Sequence, residues 1–115
     1  MGYIKHQAVI AVVIGDAADV DIDRLRRQLA ELVDKPSGAS PAQLLVGPAQ
    51  ALVNDYVTYA LLPDGSKEGW STSDLGDRAR RILIDHFRAL GSYAQVVEVS
   101  FDEDLVTSAA DVSAT

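Results

Sequence analysis

The chain has 115 residues, 48% of them apolar and 23% charged, which suits one domain with a real core and no need of covalent staples. It holds no cysteine, which excludes disulfides and thiolate metal centres. With 17 acids against 10 bases the net charge is −7, a balance that opposes non-specific binding to DNA or RNA, whose affinity comes largely from phosphate neutralisation.

Residues 3–14 read as a strand. Ile4, Ala8, Ile10, Val12 and Ile14 share one parity and are the expected core set. Tyr3, Lys5, Gln7, Val9, Ala11 and Val13 share the other, which turns apolar only in its second half. A strand apolar on both faces is central in its sheet or covered on its second side. The apolar run 8–14 is too short to span a bilayer. Asp16, Asp19, Asp21 and Asp23 follow it where a cleavage site would need small residues, so a cytoplasmic protein is expected. Asp19 or Asp21 can cap a helix, and Val20, Ile22, Leu25, Leu29, Leu32 and Val33 then recur at helical spacing. Lys35-Pro36-Ser37-Gly38 stops that helix.

Residues 43–54 read as a second strand interrupted by Pro48, which lacks the ladder N–H and therefore belongs on a sheet edge or at a bulge. Asn54-Asp55 is a turn signal, residues 56–62 return as a third strand, and Pro63-Asp64-Gly65 closes it. After a polar loop, Leu75, Ala79, Ile82, Leu83, Phe87 and Leu90 mark a second amphipathic helix, with Gly91 past its end. Residues 93–101 form the last strand, with Tyr93, Val97, Val99 and Phe101 on one parity. The small, acidic residues 102–115 read as a flexible tail or docking arm after a single domain, 1–101.

The order β-α-β-β-α-β points to an α+β ferredoxin-like sandwich: a four-stranded antiparallel sheet of order 4-1-3-2 with two helices on one face. Its second strand is an edge, where Pro48 belongs, and its first is central. The other sheet face is then expected to carry Val9, Ala11, Val13 and Val96 beside Lys5, Gln7, Glu98 and Ser100. An apolar patch of that kind is seldom left wet. A homodimer pairing sheet on sheet is the simplest cover, and a ligand site there is the alternative.

The most distinctive segment runs from Pro63 to Asp74 and holds the only tryptophan. Its backbone N–H groups, Lys67 and hydroxyls precede a helix N-terminus and suit an anion. A nucleotide-like ligand would use Asp64, Ser66, Lys67, Trp70 and Thr72, with Lys67 offsetting charge, the hydroxyls donating to phosphate and Trp70 stacking on a base. The spacing is not that of a P-loop. The plainer reading is a turn pinned by Trp70, with Ser71 or Ser73 capping the helix. Asp64, Glu68, Asp74 and Asp77 have the oxygen donors of a Mg²⁺ or Ca²⁺ site but match no EF-hand loop. His86, on the apolar side of helix two, reads as a packing residue. Arg78, Arg80, Arg81 and Arg88, like Arg24, Arg26 and Arg27, read as solvated helix faces paired with Asp77, Asp85, Asp23 and Glu31. No catalytic constellation, metal site or cofactor is assigned.

Met1-Gly2-Tyr3-Ile4-Lys5-His6, Val53-Asn54-Asp55-Tyr56 and the loop Pro63-Asp64-Gly65-Ser66-Lys67-Glu68-Gly69-Trp70, with Ser73-Asp74 and Gly76-Asp77, resemble a group of small uncharacterised proteins of bacteriophages that infect actinobacteria. Gln7 stands where a second histidine is common in that group. The resemblance implies a non-structural accessory protein made in the host cytoplasm. Such a protein would be a non-enzymatic binding module for a host protein or an anionic small molecule, acting in host takeover or counter-defence. Two rivals are a small enzyme on the open sheet face, with His6, Tyr59 and Glu98 as acid–base groups, and a virion structural or assembly protein.

Overall fold

A computed structural model describes residues 6–14, 20–66 and 69–101. Ile4 of the expected core set, the Asp19 cap, Lys67, Glu68 and the tail 102–115 lie outside the described residues. The elements are β1 (His6–Ile14), α1 (Ile22–Ala30), β2 (Leu45–Gln50), β3 (Tyr56–Leu61), α2 (Ser71–Arg88) and β4 (Ala94–Phe101). Short 3-10 turns at Pro41–Leu44 and Gly91–Tyr93 lead into β2 and β4. The protein is α+β, with one four-stranded antiparallel open sheet and two helices. Strand neighbours run β2-β3-β1-β4, so β1 is central and β2 is an edge.

Local chemistry explains the element boundaries. Asp21 caps α1 by accepting from the Arg24 N–H at 3.0 Å. The helix ends at Ala30, short of Leu32 and Val33, because the Leu32 N–H closes a tighter turn on the Leu29 carbonyl. Helix α2 starts at Ser71, and Trp70 occupies the cap position with no side-chain cap bond, in place of the expected serine cap. In β2 the register with β3 shifts between Val46 and Ala49, around Pro48. Gly47 has φ +121°, and a side chain there would meet the Thr58 carbonyl at 2.8 Å and the Tyr59 ring at 2.9 Å. Only glycine lets β2 approach β3 so closely. The β2–β3 connection turns on Asn54, at φ +64°.

The core reverses the expected parity of β1. Val9, Ala11 and Val13 are buried, and they pair with Leu61, Tyr59 and Val57 of β3. With Leu45 of β2, these residues form one cluster with Leu25 and Leu29 of α1 and Ala79, Leu83 and Phe87 of α2. The Tyr59 and Phe87 rings lie 5.3 Å apart, and Tyr59 pairs with the small Ala11 of β1. Val96, assigned to the open face with them, is half-buried against the same core. The physical reason lies in β3. Both faces of β1 are apolar, so β1 cannot choose its own inward side. Strand β3 has Val57, Tyr59 and Leu61 on one face and Tyr56, Thr58 and Ala60 on the other, and its larger set goes beneath the helices.

Candidate functional site

Of the five residues expected to bind a ligand, the fold brings Asp64, Ser66 and Thr72 together. Ser66 is buried; its N–H donates to Asp64 Oδ1 at 2.8 Å and its hydroxyl donates to Thr72 Oγ1 at 2.7 Å. The second Asp64 oxygen receives Arg80 Nη1 at 3.4 Å. Lys67 lies outside the described residues, and Trp70 is half exposed at the start of α2. Beside them is a cleft of about 150 Å³, lined by Pro41, Leu44 and Leu75 as well as Asp64 and Thr72 but not by Trp70. That is well below the roughly 300 Å³ at which small-molecule sites begin. Asp64, Ser66 and Thr72 are thus engaged with one another and with Arg80, which ties the end of β3 to α2. Among the described residues no group of three His, Asp or Glu side chains is placed to hold a metal.

Asp34, which the sequence did not single out, is a second tie. It is buried and accepts from the Ser37 hydroxyl at 2.6 Å and the Ser71 hydroxyl at 2.8 Å. The Ser37 bond first, then the Ser71 bond, hold its carboxyl below the ordinary carboxylate value, against the effect of burial. Ser71 is therefore engaged with the loop after α1, not with capping its own helix.

Arg80 is buried, and its guanidinium meets three carboxylates: Asp64, Asp77 and, at 3.7 Å, Glu98. Gly76 makes the approach possible, since a Cβ there would overlap the Asp64 carboxylate. The pairing with Asp77 follows the helix-face expectation; those with Asp64 and Glu98 join three separate elements. A polar groove of about 480 Å³ runs past this cluster, bounded by Gln7, Asp77, Arg80, Arg81, Ile84, Arg88 and Glu98. Its mixed charge gives no clear selectivity for an anion.

His86 packs edge-on against Phe87, with ring centroids 5.3 Å apart. Its Nε2 is buried and, among the described residues, without a hydrogen-bond partner. Burial first, then the Arg24 charge, lower its pKa, while Asp21 pulls the other way. The acid–base trio named for an enzyme is not assembled. Tyr59 is in the core with its pKa raised by burial, Glu98 pairs with Arg80, and His6 falls on the opposite sheet face by alternation, opposite Phe101.

That opposite face carries exposed apolar side chains. Ile10, Ile14, Val46, Tyr56, Val97 and Phe101 are each between 38% and 55% exposed on it. They share one face: Ile10 pairs with Val97 and Ala60, Val46 with Ala60 and Ile14 with Tyr56, and Phe101 follows Val97 and Val99 on the same side of β4. The larger aliphatic residues of β1 thus point away from the helices. No Asp, Glu, Lys or Arg occupies this face among the described strand residues; the one charged strand residue, Glu98, is on the helix side. The signal for this was available in β3, whose larger apolar residues mark the helix side.

Among the described residues no helix is long and apolar enough to cross a membrane. No model of a known protein family, no curated protein and no solved structure matches the chain.

Proposed function

We propose that this chain is a non-enzymatic binding module whose contact surface is the bare face of its sheet. One observation carries the reading: six large apolar side chains lie exposed together on a face that holds no charged residue among those described. The largest apolar patch of a protein is often functional. The ferredoxin-like architecture belongs to the same reading. Taken from the β4 edge, the strand neighbours β4-β1-β3-β2 follow the order of a βαββαβ sandwich, and residues of both helices join the core on one side of the sheet. The resemblance to phage accessory proteins is the ground for a role inside the host cell, and it fits a host protein or an anionic small molecule alike. The closed hydrogen bonds of Asp64, Ser66 and Thr72 weigh against the anion.

A comparative pull-down from host lysate, to which untagged chain is added, tests this. Val97→Asp places a charge on the face and should release whatever protein the tagged chain retains. Thr72→Val, in the loop, should leave it bound. Release by Thr72→Val with full retention by Val97→Asp would move the binding surface to the loop and end this reading.

A further inference from the structure

We infer that the occupant of the bare sheet face is a second copy of this chain, paired face to face across a two-fold axis. The inference rests on reading that face as the contact surface, and three observations carry it further.

The first is area. Six side chains, each exposed by two-fifths to about half, leave roughly 500 Å² of apolar surface in water at about 200 Å² per free side chain. Two copies together remove about twice that area. With the half-buried Val12, Thr58, Ala60 and Val99 between them, the contact reaches the roughly 1,200 Å² at which stable interfaces begin.

The second is charge. Each copy carries −7, so two copies repel wherever their charged surfaces meet. Among the described strand residues the bare face holds no Asp, Glu, Lys or Arg, so like-charged copies can touch there without setting those charges against one another or burying them unpaired. A partner recruited by charge would find no Asp, Glu, Lys or Arg to pair with among the described residues of that face. The chain's own segment 102–115 is a poor cover, since it brings four carboxylates and only Leu105, Val106 and Val112 as aliphatic residues larger than alanine.

The third is shape. Pro48 and the register shift beside it blunt the β2 edge against strand-to-strand pairing. Self-association through the face avoids that edge. The apolar row of β1 lies in the middle of the patch, flanked by β3 and β4, so a two-fold axis parallel to the sheet, lying in the plane between the two faces, can place β1 against β1.

The test is the mass of the full chain by size exclusion with light scattering at micromolar concentration. The expected result is twice the 12.3 kDa of one chain. Val97→Asp and Val46→Asp, on opposite edges of the patch, should each weaken the dimer at least about 10-fold while far-UV circular dichroism stays unchanged. Leu52→Asp, fully exposed off the face, should keep the dimer. A wild-type monomer overturns the inference, as does a dimer that both face variants leave intact. If the wild type is a monomer yet Val97→Asp still releases a host protein, the face binds a different partner and only the self-pairing fails. If a monomeric wild type shows no binding of an apolar dye, the chain covers its own face and both readings fall.

Discussion

Arg80 and Asp34 carry charge into the folded interior, and each is held by partners from distant parts of the chain. Arg80 ties the end of β3 to α2 and β4 through Asp64, Asp77 and Glu98. Asp77 and Glu98 are about half exposed and remain solvated without it, whereas Asp64 is 13% exposed and does not. Arg80→Ala is therefore expected to cost about 2–4 kcal/mol, most of it from the stranded Asp64. Urea unfolding measures this, and a loss below about 0.5 kcal/mol would reduce the cluster to surface pairing. Asp34 gives a pH signature. Its carboxyl lies below the ordinary value in the folded state, so its contribution is complete above the ordinary carboxylate range and is lost as pH falls through the folded value. The stability gap between wild type and Asp34→Asn should thus narrow on acidification; a gap that stays constant would show that the two serine bonds do not favour the charged form.

At the scale of elements, Gly47 and His86 make the sharpest demands. Gly47→Ala meets both a positive φ and the Thr58 carbonyl, and should cost at least about 2 kcal/mol by thermal or chemical unfolding. His86 has its pKa lowered by burial and by Arg24, so the folded state resists its protonation. Its contribution is complete above the ordinary histidine range and declines as pH falls from that range to the lower folded value. His86→Phe should flatten that part of the stability–pH curve. The order of the elements was legible because each has its own period and its own stop signal: Pro36-Ser37-Gly38, Asn54-Asp55, Pro63-Asp64-Gly65. The inward side of β1 was not, because Ile10-Val12-Ile14 and Val9-Ala11-Val13 are both apolar and only pairing with β3 separates them. The 64–72 loop was visible as a cluster of polar residues. That it is tied to distant parts of the chain was not, since Asp64 meets Arg80 16 residues away and Ser71 meets Asp34 37 residues away. Sequence spacing does not encode contacts of that kind.

At the scale of the molecule, apolar and charged surface are separated by the sheet. The charged residues of α1 and α2, and the groove beside Arg80, lie on the helix side, while the bare face carries Ile10, Val97 and their neighbours. Pairing through that face would leave two helix sides outward, each with its own groove, for any further partner. The separation also fixes how such a dimer must respond to salt. Its contact gains nothing from ion pairs, while the two chains repel at −7 each over the whole molecule. At about 10 mM salt the screening length is roughly 30 Å, so that repulsion acts in full; at about 150 mM it is roughly 8 Å and most of it is removed. Added salt should therefore tighten the dimer across this range, and the unfolding temperature should rise with protein concentration because association stabilises the native state by mass action. Sedimentation equilibrium at the two salt concentrations measures the first effect. A dimer that loosens with salt would hold together by charge, and its interface would have to lie on the helix side rather than on the face of Ile10 and Val97.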